Sequence, residues 1–191
     1  IYTNHHELVL LSPNFLFSIG GDGTLLSAVT YVRDSDIPIL GINTGRLGFI
    51  SSIAADQIEK AITDILKENF KINKRILLEL NTSKELFSNK NFALNEVAVL
   101  KKDTSSMIKV DAFVDDEFLN TYWADGLVVS TPTGSTGYSL SCGGPIMYPQ
   151  SKAFVLTPIA PHNLNARPII IPEDLTVELS VSGREKYHLL S

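Results

Sequence analysis

The sequence has a single cysteine, Cys142, which excludes an internal disulfide framework and is typical of a reducing compartment. No segment approaches the roughly 20 consecutive apolar residues of a membrane-spanning helix, because the longest apolar runs, such as 8–11 and 169–171, have the length of strands. Lysine and arginine never cluster beyond two adjacent residues. We therefore expect a cytoplasmic protein whose main partner is neither nucleic acid nor a membrane.

The rest of the composition is globular. The 191 residues are 44% hydrophobic and 19% charged, with a net charge of −5 and a mean hydropathy of +0.11. This balance excludes a disordered chain, and the length suits one large domain or two small ones. The chain starts at Ile1 without methionine and stops at Ser191 inside an apolar pattern, so we expect a segment of a longer protein, without a secretory signal peptide.

The first 69 residues alternate apolar strands with amphipathic helices. Their strands are continuously apolar, which is typical of a parallel sheet covered on both faces. The predicted elements are a strand at 15–19, a helix at 24–32, a strand at 37–42 and a helix at about 55–68.

After residue 69 the pattern turns to strands, and helical periodicity becomes scarce. The strand candidates are 71–80, 92–100, 108–114, 126–130, 166–171 and 175–181. The sequence therefore predicts a two-domain α+β protein. Residues 1–69 form an α/β domain with a parallel sheet, and residues 70–191 form a mostly antiparallel all-β domain.

A glycine-rich turn, Gly20-Gly-Asp-Gly-Thr24, separates the first predicted strand from the first helix. Its glycines, Gly20, Gly21 and Gly23, let the backbone approach a bulky ligand, and the free N–H groups of the helix start near Thr24 suit a phosphate. Among phosphates, the Asp22 carboxylate would accept a proton from an attacking hydroxyl or hold Mg²⁺. Both roles imply phosphoryl transfer to an alcohol. The alternative is a tight turn with Asp22 near the helix cap.

The segment 130–144 is rich in hydroxyls and glycines, and such a segment suits phosphates, sugars and base edges. Tyr138 adds an aromatic face for a purine. The polar groups are those of Thr131, Thr133, Ser135, Thr136 and Ser139, with backbone N–H groups freed by Gly134 and Gly137. The alternative is a flexible surface loop, but flanking apolar residues place the segment near the core, where unpaired hydroxyls are costly.

The polar pair Asn95-Glu96 interrupts an apolar stretch. Asn95 can pair with an adenine edge, and Glu96 can accept hydrogen bonds from two ribose hydroxyls, although such a pair also serves as a structural network. Asp125, which precedes the strand into the hydroxyl-rich segment, is a similar candidate. The histidines show no zinc spacing, and Cys142 has no paired base, so we predict no metal ligand beyond a carboxylate contact to Mg²⁺.

Taken together, these motifs resemble the ATP-dependent NAD kinases, which add a phosphate to the 2′-hydroxyl of the adenosine ribose of NAD. The matching stretches occur in the family's order over nearly the whole chain. They are 20–24, 43–49, 95–96, 125–139, and 158–161 with Arg167-Pro168. The first is shared with diacylglycerol and sphingoid-base kinases, and the long fourth stretch is more specific.

The resemblance implies an α/β domain and an all-β domain, ATP with Mg²⁺, and a homodimer or homotetramer. It implies that Asp22 accepts the proton, that Gly23 lies against the substrate, and that the glycine-rich turn meets phosphates. The other implied NAD contacts are Phe49, Asn95, Glu96, Thr133, Thr136, Gly137, Tyr138 and Ser139 around the adenosine, and Asp125 and Ala160 near the nicotinamide.

Two positions depart from the family pattern: Trp123 stands where a basic residue is common, and Gly137 replaces the usual alanine. Two other functions stay open. A lipid kinase with the shared glycine motif would need an apolar slot, which the hydroxyl-rich segment does not supply. A non-enzymatic NAD(H) sensor would need no carboxylate at Asp22.

Overall fold

The computed structural model describes residues 8, 10–45, 48, 50–51, 53–82, 91–102 and 106–183, and the backbone of residues 187–190. The chain divides into two compact units, Ile1–Lys74 and Arg75–Ser191, called here the N-terminal unit and the C-terminal unit. No helix within the described ranges is long and apolar enough to cross a membrane.

The N-terminal unit contains a small parallel sheet of order β1-β2-β3, with one helix between β1 and β2 and another after β3, which confirms the predicted α/β architecture. Its elements are β1 (Leu16–Ile19), α1 (Asp22–Val32), β2 (Ile39–Asn43), β3 (Ile53–Ala54), a 3₁₀ turn (Ala55–Gln57) and α2 (Ile58–Leu66). Helix α1 begins two residues earlier than predicted because Gly21 is its N-cap, with the Gly21 carbonyl accepting from the Thr24 and Leu25 N–H groups.

Helix α1 buries the side chains of Leu25, Ala28 and Val32, which belong to its predicted apolar face. Helix α2 differs: within the described part of the chain none of its residues is buried, and Leu66 is 80% exposed. Amphipathic spacing therefore identified both helices. Within the described residues, the apolar face is buried in α1 and remains partly exposed in α2.

The C-terminal unit is built from antiparallel pairs throughout its described strands, which confirms the prediction. Its strands are β4 (Leu78–Glu79), β5 (Phe92–Ala93), β6 (Glu96–Lys101), β7 (Ile108–Val114), β8 (Glu117–Ala124), β9 (Gly126–Ser130), β10 (Ala153–Ile159), β11 (Ile169–Pro172), β12 (Val177–Ser182) and β13 (Tyr187–Leu190). They form a sheet of order β11-β10-β9-β6-β13, a sheet of order β12-β7-β8, and the short pair β4-β5.

One hydrophobic cluster draws on both larger sheets of this unit. Strand β7 contributes alternate residues, Ile108, Val110 and Ala112, while its intervening side chains stay more exposed. Strand β9 is buried along its whole length, as expected for a strand covered on both faces. The segment after β9 contains a 3₁₀ turn (Gly134–Thr136) and the single-turn helix α3 (Tyr138–Ser141) in place of a loop, and α3 lies beside β9.

The strand predictions were partly wrong in detail. The predicted strand 71–80 is reduced to β4, and the predicted strand 92–100 is interrupted by a bend at Leu94 and Asn95. Strands β8, β10 and β13 were not predicted. Strand β8 is the edge strand of the β12-β7-β8 sheet, and it mixes polar and apolar residues without a clean alternation.

Candidate active site

The glycine-rich turn lies at the carboxyl end of β1, where α1 begins. Gly21 and Gly23 are exposed and have open space where a side chain would stand. Thr24 is also exposed, and Gly20 and Asp22 are half-buried. The structure therefore leaves the backbone of the turn accessible at a helix start, the geometry that suits an anionic group.

Asp22 is held by a loop from the far end of β2. The backbone N–H groups of Ile50 and Ser51 donate to Asp22 Oδ1 at 3.2 and 2.9 Å. Gly48 lies so close that a Cβ there would overlap the Asp22 carboxylate. The loop therefore fixes the direction of this side chain.

Asn95 and Glu96 lie at the bend between β5 and β6, and neighbouring residues hold this bend by its backbone. The carbonyl of Asn95 accepts from the Thr131 N–H at 2.9 Å and from the Ser130 hydroxyl at 3.2 Å. A Cβ at Gly134 would overlap the Asn95 carbonyl. The carbonyl of Asn95 is thus held by two donors of the following loop.

Two side-chain oxygens of this bend have no hydrogen-bond partner within the described residues. Asn95 Oδ1 and Glu96 Oε2 are both covered and both unpaired. Burial raises the pKa of Glu96, and a hydrogen bond from the Tyr138 backbone N–H opposes this in part. Covered acceptors are normally paired, so these two oxygens indicate a site for hydrogen-bond donors from outside this part of the chain.

Most hydroxyls of the segment 130–144 are committed within the protein, which the sequence did not reveal. The Thr131 hydroxyl donates to the Leu94 carbonyl at 2.5 Å, and the Ser135 hydroxyl donates to the Pro132 carbonyl at 2.7 Å. Ser139 is fully buried, with its hydroxyl 2.9 Å from that of Thr157. These groups support the loop rather than line an open surface.

Three of the remaining predicted residues of this segment lie nearer to solvent, and the fourth, Thr133, is buried. Gly137 and Tyr138 are exposed and Thr136 is half-buried. A Cβ at Gly137 would lie 3.2 Å from Glu96 Oε2, so the glycine leaves room beside the carboxylate. Thr133 is 8% exposed and accepts from Arg75 Nη1 at 3.3 Å. The structure therefore brings Gly137 and Tyr138 beside Glu96, and Thr133 and Thr136 belong to the same loop.

Asp125 and Ala160 meet where β9 and β10 pair. The Asp125 N–H donates to the Ile159 carbonyl at 2.9 Å, and Ala160 follows with a left-handed φ of 43°. A non-glycine residue there stores strain of order 1 kcal/mol, as is common at functional sites. Lys101 Nζ lies 2.7 Å from Asp125 Oδ1.

Tyr138 lies close enough to Asp125 and Cys142 for their charges to affect its phenol. The pKa of its phenol is raised, chiefly by burial and then by Cys142, with a smaller contribution from the charge of Asp125. Burial also raises the pKa of Cys142, and the charge of Glu96 adds to this increase. Glu96, Asp125 and Tyr138 therefore share one neighbourhood on the C-terminal unit.

Sequence reasoning missed three residues that shape these sites, Gly48, Arg75 and Lys101, and it expected Gly134 to free backbone N–H groups where the structure uses it for close packing. Gly48 and Gly134 stand inside stretches already recognised, and a glycine within a motif signals a close backbone approach. The sequence offered no such signal for Arg75 and Lys101, because their partners are distant along the chain. Phe49, the predicted adenine-side residue, lies outside the described residues.

No group of three or more histidine, cysteine, aspartate or glutamate side chains within the described ranges is arranged to hold a metal ion. Mg²⁺ is commonly bound by one or two carboxylates together with substrate phosphates. Asp22 is the carboxylate of the glycine-rich turn that could contribute to such a site.

Comparison of the chain with models of known protein families shows which family it belongs to. The chain matches, in order, the ATP-NAD kinase N-terminal domain over residues 13–70 and the ATP-NAD kinase C-terminal domain over residues 94–191. The C-terminal match alone covers just over half of the chain. This protein therefore belongs to the ATP-NAD kinase family, which confirms the resemblance drawn from the five motifs.

Relatives and solved structures agree. The chain is 48% identical over 190 residues to the NAD kinase of Cytophaga hutchinsonii, covering 100% of this chain and 64% of that protein. It is 53% identical to the NAD kinase of Christiangramia forsetii, covering 94% of this chain and 62% of the relative. The chain thus spans less than two thirds of the length of these relatives.

Two solved structures share the fold. An NAD kinase from Archaeoglobus fulgidus in complex with ATP superposes with a TM-score of 0.81 at 30% identity, covering 100% of this chain and 72% of the other. Yeast NADH kinase complexed with NADH gives a TM-score of 0.75 at 32% identity, covering 88% of this chain and 53% of the other. Both comparisons support the fold of a parallel α/β unit followed by an antiparallel β unit.

Proposed function

We propose that the whole protein is an NAD kinase, which transfers the γ-phosphate of ATP to the 2′-hydroxyl of the adenosine ribose of NAD and releases NADP and ADP. Family membership supports the activity class, and the two solved relatives are complexed with ATP and with NADH. The observation that carries the proposal is the pair of covered, unpaired acceptor oxygens on the adjacent residues Asn95 and Glu96.

These two oxygens match the donors of an adenosine. Asn95 Oδ1 is an acceptor, and the exocyclic amine of adenine is a donor. The Glu96 carboxylate accepts from ribose hydroxyls. Tyr138, 40% exposed beside them, offers an apolar ring face for the base. We therefore place the adenosine of NAD at the bend between β5 and β6, with Thr133, Thr136 and Gly137 around it.

We propose that Asp22 is the general base. The ribose oxygen forms its bond to the γ-phosphorus as the bond from that phosphorus to the bridging oxygen of ADP breaks. The hydroxyl proton passes to the Asp22 carboxylate, and ADP leaves with the bonding electron pair. The N–H groups from Ile50 and Ser51 occupy Oδ1 and hold the carboxylate in one orientation. The accessible backbone of Gly21 and Gly23 would meet phosphates.

The other assignments follow from the same proposal. Asp125 and Ala160, joined where β9 meets β10, would contact the nicotinamide end, and Ser139 would act through the buried network that supports the loop. Magnesium would enter with ATP. We also propose that the functional domains divide near residue 69 and that the protein is cytoplasmic. We propose further that it is a homo-oligomer, which light scattering at micromolar concentration would detect.

The test is direct: the whole protein is mixed with ATP, Mg²⁺ and NAD, and NADP is measured. We expect NADP to form in step with ADP. Binding of NAD without any NADP would favour the dinucleotide sensor. Phosphorylation of diacylglycerol or a sphingoid base without NADP would favour the lipid kinase. A carboxylate at position 22 held by two backbone donors supports the enzyme over the sensor.

A further inference from the structure

Arg75 stands out among the cations of the C-terminal unit. It precedes β4, is half-buried, and donates from Nη1 to Thr133 Oγ1 at 3.3 Å. The ion pairs found among the described residues are Lys101 with Asp125, Lys109 with Asp111, and Lys152 with Glu173, and Arg75 belongs to none of them. A half-buried guanidinium that bonds only a neutral hydroxyl there retains the capacity to bind an anion.

The loop that Arg75 contacts is the one that covers the Asn95-Glu96 bend. Thr133 is followed by Gly134, which packs on the Asn95 backbone, and three residues later Gly137 borders the Glu96 carboxylate. The guanidinium therefore contacts the loop that borders the proposed adenosine site. The other cation at this surface, Lys101, is already paired with Asp125 at 2.7 Å.

Charge determines which anion fits there. A phosphomonoester carries about −1.5 to −2 charges at neutral pH, and a phosphate on the ribose 2′-oxygen would stand close to the Glu96 carboxylate. Repulsion between the two anions requires a nearby cation. A guanidinium is well suited, because its planar set of N–H donors matches phosphate oxygens.

We propose that Arg75 binds the 2′-phosphate of NADP, and so separates the phosphorylated from the unphosphorylated dinucleotide at this site. The inference rests on the proposed function, since it needs the adenosine at the Asn95-Glu96 bend. NAD lacks the phosphate and does not use Arg75. The residue therefore sets how tightly product is retained without setting how tightly substrate binds.

The experiment is calorimetric titration of the whole protein with NAD and, separately, with NADP. The variants are Arg75→Gln, Arg75→Lys and the control Lys152→Gln, which removes the same charge from a side chain that is 87% exposed. We expect Arg75→Gln to weaken NADP binding by at least about tenfold, the typical value of one charge-assisted hydrogen bond, and to leave NAD within about twofold. Arg75→Lys should recover part of the loss, and Lys152→Gln should change neither ligand.

The ratio of the two affinities separates the outcomes. An equal loss of NAD and NADP in Arg75→Gln would give Arg75 a structural role or a contact to a part shared by both ligands, and would overturn the inference. Unchanged NADP binding would also overturn it. If the unmodified protein binds neither dinucleotide, the proposed function itself fails. If Arg75→Gln binds NAD with normal affinity and binds only NADP more weakly, the result supports both the role of Arg75 and the proposed function.

Discussion

The two glycine-containing segments of this protein look alike in composition and differ in packing. In the N-terminal unit, Gly21 and Gly23 are exposed and have open space around them. In the C-terminal unit, Gly134 is buried and packed against the Asn95 backbone. The first segment leaves its backbone free to meet a ligand, whereas the second is a rigid support that presents Asn95 and Glu96. We infer that Gly21 and Gly23 serve ligand approach, whereas Gly134 serves internal packing.

The largest expected effect tests the open segment. Asp22→Asn should lower kcat by at least about 100-fold, because the amide cannot take the hydroxyl proton and general-base assistance is worth ~10²–10⁴-fold. Asn keeps an oxygen that accepts from Ile50 and Ser51, so the loop should stay in place. Steady-state NADP production and NAD titration measure the two effects, with Asp34→Asn, an exposed aspartate of the same unit, as the control.

NAD affinity should change little in Asp22→Asn. Near-normal kcat would make Asp22 a turn residue that only anchors the loop, and Glu96 would then be the next candidate base.

The second test compares the two glycine environments directly. Gly134→Ala should destabilise the protein by about 1–3 kcal/mol, because the new methyl group overlaps the Asn95 carbonyl and the packed loop must shift. Gly23→Ala should stabilise by up to about 1 kcal/mol, since Gly23 lies within α1, has open space, and alanine favours a helix. Urea unfolding followed by circular dichroism measures both. Equal effects from the two variants would contradict the comparison.

The third test concerns the covered acceptor on the packed side. Asn95→Ala should weaken NAD binding by about 1–3 kcal/mol, because an adenine amine would lose its partner in a covered site. Isothermal calorimetry measures the change, and Asn120→Ala on β8 is the matched control. An unchanged dissociation constant for Asn95→Ala would remove that side chain from the site.

The smallest expected effect is on pH dependence. Burial raises the pKa of Glu96 above its ordinary value, so the folded protein holds this proton more tightly than the unfolded chain. The contribution of Glu96 to stability is therefore largest below the unfolded pKa, and is lost as pH rises through the folded pKa. Glu96→Gln should flatten this decline and stabilise the unliganded protein at pH 7 by less than about 1 kcal/mol, because the group is only partly enclosed.

Thermal unfolding of the unliganded protein at several pH values checks this, with Glu178→Gln on β12 as the control. The same pH profile in Glu96→Gln and in the parent protein would show that the Glu96 carboxylate is solvated.

Much of the fold was predictable because its signals are local. Continuously apolar strands separated by an amphipathic helix predicted the parallel sheet around β1 and β2, and alternation predicted β7 at its observed limits. Strand β8 escaped prediction because its partner β7 determines which of its residues are covered, and a single strand does not carry that information.

The candidate site shows the same division. Its motifs were recognisable because glycine, carboxylate and hydroxyl chemistry occurs in short stretches, and their order resembles one family. The sequence did not separate supporting hydroxyls from exposed ones. Thr131 and Ser139 are committed to Leu94 and Thr157, which lie 37 and 18 residues away along the chain.

By itself, the sequence determined the class of each unit, the order of the motifs and the family, since periodicity and motif chemistry are written within a few consecutive residues. Only the tertiary structure decided which groups are spent on packing and which stay available. The N–H group of Ser51 reaches Asp22 across 29 positions, Lys101 neutralises Asp125, and Arg75 bonds Thr133 across 58 positions. Such contacts depend on how strands and loops are brought together in space. Local patterns along the chain do not show which distant residues will meet.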